Sequence, residues 1–359
     1  MKAGAYSTSN LNHSDTFGTN EFRWQLLDED KTKWDQLIGA YPGSLIYHHK
    51  PWIELLARAY GLSFSLASIN GDGEALAGCV FAYGKTRFKP RFVSLPFSDE
   101  CAPLALNREV ADELLTALTL HGPPNATYEI RGVKAKWPWH TVECFANWTL
   151  ELDRPLARLE RGLASNFRRS VKRAAQRNIR IDRGQDLSYL SRFYRLQLES
   201  RRRHGLPAQP WRFFKLLHEI FSPGGSLEVW IAQENGHDQA SAVFLIDGDA
   251  VHYKWGARSA DRQSYANHLM FWKAIEHFAA RRRVLDLGRT DVRNHGLMRF
   301  KQELGAELSP VAFSFYPCAP GQISAEVLTG KRRVAAEILR RMPIFATRLL
   351  GEAAYRFFA

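Results

Sequence analysis

The stretch SLEVWIAQENGHDQASAVFLIDGDAVHYKWG, residues 226–256, decides the fold. Two alternating runs, Ser226 to Gln233 and Ala240 to Ile246, flank the turn-rich Glu234-Asn235-Gly236-His237-Asp238, and Asp247-Gly248-Asp249 leads into a third, Ala250 to Gly256. Alternation punctuated by Asn-Gly and Asp-Gly predicts three antiparallel strands. Further along, Ser264 is placed to cap a long helix reaching about Arg281, with Leu269, Trp272, Ile275 and Phe278 on its inner side. Val284 to Leu287 reads as a short buried strand, His295 to Glu303 as a helix, and Val311 to Phe315 as the strand closing the sheet. The order β-β-β-α-β-α-β describes an α+β domain with a mixed, mostly antiparallel sheet flanked by helices.

Upstream, Leu159, Leu163, Phe167 and Val171 recur every four residues, so one helical face is apolar and the neighbouring arginines and lysine take the other sides. Helices at Leu187 to about Arg203 and Trp211 to Phe221 follow. The first half carries a weaker version of the second-half pattern. Helices at Lys31 to Ile38 and Pro51 to Tyr60 precede strands at Ser63 to Ile69 and Ala75 to Tyr83, joined by Asn70-Gly71-Asp72-Gly73. Strands at Phe92 to Leu95, Thr127 to Arg131 and Trp148 to Leu152, with a helix at Arg108 to Leu120, complete a duplicate unit. The expected boundaries are a flexible polar lead-in at 1–20, domains at 21–155 and 156–318, and a basic amphipathic tail at 319–359.

The chain has 359 residues and a net charge of +12, enough length for two domains that each bury a core. Its 45% hydrophobic content excludes general disorder. No apolar run approaches a membrane span, and the opening residues lack the apolar middle of a secretory signal, which implies a cytoplasmic protein. Cys79, Cys101, Cys144 and Cys318 show neither disulfide nor zinc-site spacing, so no metal is expected and the thiols read as buried. The charge is localised. From Arg154 to Arg203, 15 Lys and Arg stand against 4 acids, and from Ala325 to Ala359, 7 stand against 3, so the remaining residues are slightly acidic. A basic belt on a near-neutral body points to a polyanionic partner or to a solvated arginine-rich helix face.

Three motifs then carry a family resemblance. Asn166-Phe167-Arg168-Arg169-Ser170-Val171-Lys172-Arg173-Ala174 resembles the N-x-R-R-x-x-K-R-A helix of FemAB-like proteins, which include peptidoglycan interpeptide-bridge aminoacyltransferases and BioF2-like acetyltransferase domains of the GNAT superfamily. Asp286-Leu287-Gly288-Arg289-Thr290-Asp291, with Gly296-Leu297-Met298-Arg299-Phe300-Lys301 and Leu304-Gly305-Ala306, resembles the D-x-G-R-x-D and G-L-x-R-F-K-x-x-x-G segments of that family. Tyr194 to Gly205 is similar to the linking helix of a subgroup associated with exopolysaccharide and exosortase systems. The resemblance spans roughly residues 24 to 316.

It implies two tandem GNAT-like acyltransferase domains that move an acyl or aminoacyl group onto an amine of a cell-envelope or exopolysaccharide precursor. The donor co-substrate is acyl-CoA or aminoacyl-tRNA, with no tightly bound cofactor. Acetyl-CoA enzymes of this fold bind pyrophosphate on a glycine-containing turn at a helix N-terminus. Here the turn reads Arg262-Gln263-Ser264-Tyr265-Ala266-Asn267, with Tyr265 and Asn267 in the glycine positions, so the donor stays open. The alternatives are an acetyl-CoA-dependent N-acetyltransferase of a small amine or amino sugar, and a non-catalytic nucleic-acid or membrane-surface binding protein.

Acyl transfer to an amine needs a neutral nucleophile, a proton acceptor, and positive charge or N–H donors at the developing oxyanion. Lys301, in the family's Phe-Lys position, is the candidate for the charge; an ordinary surface lysine is the competing reading. Asp99, in Pro96-Phe97-Ser98-Asp99-Glu100, is either base and amine-orienting group or a turn aspartate. Arg289 and Asp291 leave a buried strand through Gly288, where either could meet substrate or form an internal ion pair. Tyr253 and Trp255 are expected on one strand face, with Tyr253 toward the substrate and a core aromatic as the alternative. Asn267 is a ligand contact or a helix cap, and His48 and His49 are structural. Arg168, Arg169, Lys172 and Arg173 are assigned to the donor. The tail from Lys331 either packs on the second domain or touches an anionic membrane at the inner face.

Overall fold

The computed structural model describes residues 13–17, 20–29, 31–41, 43–85, 89–133, 139–260, 265–317 and 330–355. They form two compact units, one holding residues up to Cys144 together with 311–317, the other Phe145–Pro310 with the C-terminal helices. In each unit the strands pair in a mixed, mostly antiparallel arrangement, with helices packed on them.

In the first unit the chain runs β1 (His13–Phe17), β2 (Asn20–Leu26), α1 (Lys31–Ala40), α2 (Lys50–Tyr60), β3 (Phe64–Gly71), β4 (Glu74–Lys85), β5 (Pro90–Val93), β6 (Leu104–Ala105), α3 (Arg108–His121), β7 (Thr127–Val133) and into β8 (His140–Glu151). Strands β1 to β5 pair antiparallel in order, then β5 pairs parallel with β7 across α3. The β3–β4 turn is closed by Asp72 and Gly73, both left-handed at φ 50° and 85°, as a two-residue hairpin requires. Phe22, Trp24, Phe81, Phe92, Tyr128 and Trp139 fill the core. Residues 13–17, placed in a flexible lead-in, instead form a strand in register with β2.

The second unit contains α4 (Leu156–Gly162), α5 (Ser165–Gln176), β9 (Arg180–Gly184), α6 (Leu187–His204), α7 (Trp211–Phe221), β10 (Leu227–Glu234), β11 (His237–Asp247), β12 (Ala250–Arg258), α8 (Ala266–Ala279), β13 (Val284–Asp291) and α9 (His295–Glu303). Then come β14 (Glu307–Tyr316), α10 (Gly330–Arg341) and α11 (Ile344–Ala354). Strands β9 to β12 are antiparallel neighbours, and β12 pairs parallel with β13 across α8. The topology of the first unit is repeated.

Two further expectations are corrected. The apolar face at Leu159, Leu163 and Phe167 is buried, but the helix breaks after Gly162, where Leu163 turns extended at ψ 138°. Val311 to Phe315 does not close the second sheet: it belongs to β14, whose residues Ala312 to Tyr316 pair antiparallel with β7 in the first unit. Beside β13 lies β8, in register from Phe145 to Glu151. Strand β9 was not foreseen. Cys79 and Cys101 are free and buried, whereas Cys318 and the Ser264 cap lie outside the described residues.

His48 is structural, as expected. Its Nδ1 accepts the Leu45 N–H at 2.9 Å and Nε2 lies 3.0 Å from the Ala102 carbonyl, so the neutral tautomer with a proton on Nε2 satisfies both partners. Burial lowers its pKa to about 4. Between that value and the ordinary pKa near 6.5 the unfolded chain binds a proton the folded one refuses, so stability falls as pH falls. Urea unfolding should show this contribution absent above pH 7 and costing about 3 kcal/mol below pH 4. In His48→Asn, which cannot take up that proton, the same titration should lose this part of the slope; an unchanged slope would assign the pH dependence elsewhere.

Candidate functional site

The parallel strands of each unit separate soon after they meet. β5 and β7 share three residue pairs, ending at Val93 and Glu129; β12 and β13 share three, ending at His252 and Asp286. Parting strands orphan backbone groups, which need new partners. In the first unit the chain supplies them itself. Ser94 N–H reaches the Glu129 carbonyl at 2.8 Å, Ser94 Oγ accepts the Arg131 N–H at 2.9 Å, and Cys101 N–H reaches the Arg131 carbonyl at 3.0 Å. That fork is plugged by residues 94–101.

In the second unit, among the described residues, no backbone bond joins β12 to β13 beyond His252 and Asp286. β13 also kinks. Its pairing with β8 skips Leu287 and Gly288, and Gly288 sits at φ 73°, a conformation that favours glycine. Two buried charged side chains hold the kink: Asp286 Oδ1 accepts the Gly288 N–H at 2.8 Å, and Lys301 Nζ donates to the Gly288 carbonyl at 2.7 Å. The other Asp286 oxygen is 3.0 Å from His252 Nδ1. The chain His252–Asp286–Gly288–Lys301 thus fixes where the strands part. Lys301 is only 2% exposed, so it is not a surface lysine.

α8 begins downstream of β12, and the N-terminus of such a crossover helix lies by the carboxyl end of the preceding strand, where ligands meet α/β sheets. Tyr265 precedes it at φ 54° with no side-chain cap, so the chain follows a glycine-type path despite the tyrosine. Arg173 of α5 lies over the Tyr265 ring at 5.7 Å and donates to its hydroxyl at 3.2 Å, and Arg169, Lys172 and Arg173 are exposed. These cations, a positive helix end and an open fork together suit an anionic acyl donor.

The remaining expected residues separate by role. Arg168 donates to the Glu160, Arg161 and Leu163 carbonyls, the nearest at 2.7 Å, and so closes the broken end of α4. Asn166 reaches Glu303 at 2.5 Å and ties α5 to α9. Asp291 pairs with Arg293 through two side-chain bonds, the shorter 2.6 Å, and that hydrogen bonding holds its carboxyl below the usual range. Arg289 stacks over Phe145 at 4.3 Å. Asn267 is half-buried on the first turn of α8. The expected shared face of Tyr253 and Trp255 is corrected: a bulge at Lys254 sets Phe244 opposite Tyr253 but Val243 opposite Trp255. Tyr253 therefore packs on Phe271 at 4.8 Å, its hydroxyl pKa raised by burial, while Trp255 packs on Phe213 at 5.5 Å.

Asp99 lies in the first unit, on the plugging loop. Tyr47 donates to its Oδ2 at 2.5 Å, and Trp52 Nε1 donates to the adjacent Ser98 hydroxyl at 2.8 Å. Leu95 and Phe97 are held at φ 42° and 67°, strain that persists only where surrounding contacts over-determine the backbone. The sequence reading missed Tyr47, which contacts Asp99, and gave no role to His252 or Asp286. A carboxylate amid Val284, Leu285 and Leu287 was the available signal, since a buried charge requires partners.

Known proteins share this architecture. Residues 161–302 match the acetyltransferase (GNAT) domain family model. No curated protein sequence matches the chain. Among solved structures, FemX aligns with a TM-score of 0.62 at 14% identity, covering 82% of this chain and 97% of its own. A tandem GNAT protein from the clavulanic acid biosynthesis pathway gives 0.53 at 10%, covering 83% and 99%. The C-terminal domain of a putative lysylphosphatidylglycerol synthetase from Agrobacterium fabrum gives 0.50 at 13%, covering 70% and 83%. At such identities these likenesses show the fold, while the family match and the open fork fall in the same unit. Residues 161–302 thus match the acetyltransferase (GNAT) domain, and the chain has the fold of FemX and of the tandem GNAT protein.

Proposed function

We propose that this chain is an acyltransferase that moves an acyl or aminoacyl group from acyl-CoA or aminoacyl-tRNA onto an amine of a cell-envelope or exopolysaccharide precursor. The open β12–β13 fork beside the start of α8, set against the plugged fork of the first unit, carries the reading. The amine nitrogen forms the new C–N bond, the donor's C–S or C–O bond breaks, and the nucleophile's proton passes to a base. In this reading the second unit holds the donor and Asp99 serves the acceptor amine. An envelope precursor is supported by the motif resemblance and by neighbours named FemX and lysylphosphatidylglycerol synthetase.

Calorimetric titration with CoA and, separately, with charged tRNA tests the donor. Tyr265 keeps the glycine-type path, which favours CoA; the exposed cations of α5 favour tRNA. Replacing Arg169, Lys172 and Arg173 together by Gln should weaken tRNA binding and flatten its salt dependence by roughly 2 in log–log slope, at about 0.7 for each phosphate no longer neutralised. CoA binding should fall less, because fewer phosphates are involved. Binding of neither donor would overturn the reading.

A further inference from the structure

Helices α10 and α11 pack on α6 of their own unit, which leaves their outward face to be accounted for. Two close approaches seat them: a Cβ on Gly205 would stand 2.5 Å from the Ala336 carbonyl oxygen, and one on Gly351 2.1 Å from that of Ala208. Glu352 accepts the Trp211 N–H at 2.7 Å and caps α7, which has no cap of its own from Pro210. Thr347 and Tyr355 face inward, buried.

The exposed side chains of the two helices include three large apolar ones among charged neighbours. Phe345 is 67% exposed, Leu349 one turn later 64%, and Ile338 on α10 56%. A helix with only a structural role turns polar residues to water. Exposed Arg341 and Arg348 flank these three side chains, Arg341 pairing with Glu337 at 3.0 Å. Across residues 330–355, six Lys and Arg stand against two Glu.

We propose that this face docks on an anionic membrane surface, Phe345, Leu349 and Ile338 entering the acyl boundary while the arginines meet lipid phosphates. Charge argues against a second copy of the chain, because self-association would bring two cationic hairpins together. The inference goes beyond the transfer reaction and stands without it.

Co-sedimentation of the full chain with phosphatidylcholine vesicles, with and without phosphatidylglycerol, tests it. Binding should require phosphatidylglycerol and weaken with salt. Phe345→Ser and Leu349→Ser should each weaken it roughly tenfold or more. Both side chains are exposed, so the thermal transition should stay put, which separates lost docking from lost fold. Equal binding by the two variants and the parent overturns the proposal, as does no binding by any of them. Concentration-dependent dimerisation in light scattering that both substitutions abolish would assign the face to a second copy instead.

Discussion

Lys301→Met is expected to lower acyl transfer at least roughly 100-fold while leaving a folded protein. The methionine nearly matches the lysine in volume, so the change chiefly removes the ammonium that donates to the Gly288 carbonyl. A buried carbonyl left without its donor costs on the order of 2 kcal/mol, which a domain of ordinary stability tolerates. Activity suffers more because the Lys301 bond, with the Asp286 bond to the Gly288 N–H, sets the kink of β13 and hence the opening of the fork. A displacement of about 1 Å at a reacting centre costs roughly 100-fold. Denaturant unfolding and steady-state kinetics should therefore move together, with donor affinity reduced as well as kcat. If stability and donor affinity held while kcat alone collapsed, Lys301 would be acting on the reacting atoms rather than on Gly288. Retention of all three would remove it from the site.

What the sequence made legible was local. Turns at Asp72-Gly73 and Asn235-Gly236 were readable because a two-residue hairpin demands left-handed residues, and Asn, Asp and Gly adopt that conformation cheaply. The helix at Trp211–Phe221 was readable from its apolar period. Strand β9, RIDRG, was not: its charges fit an edge position but resemble a solvated linker. The partner of β14 was equally hidden, since nothing within residues 311–316 distinguishes pairing with β7 from closure of the second sheet.

The site followed the same division. Lys301 and the Asp286-to-Asp291 segment stood out as motifs, but the link from His252 through Asp286 to Gly288 depends on strands that meet only after folding. Alternation failed at Tyr253 because one extra residue in a bulge reverses every later side chain. Arg168 was grouped with its exposed neighbours because composition cannot show that its guanidinium closes the end of α4.

Asp99→Asn should reduce acyl transfer by roughly 100- to 10,000-fold, the range for loss of a positioned general base, with donor binding unchanged. The amide is isosteric and can still accept the Tyr47 hydroxyl. The loop keeps its other ties, Trp52 to Ser98 and His48 to Ala102, so the strained turns at Leu95 and Phe97 should persist. Only the negative charge and the ability to take a proton are lost. Tyr47→Phe gives the complementary case: Asp99 keeps its charge but loses a donor, so transfer should fall by a smaller factor through misplacement of the carboxylate. A turn aspartate would show the opposite ordering, with stability falling in Asp99→Asn and turnover per folded molecule unaffected. Because the family match places the acetyltransferase domain at 161–302, a large loss on changing Asp99, outside it, would make the first unit part of the catalyst rather than a duplicated scaffold.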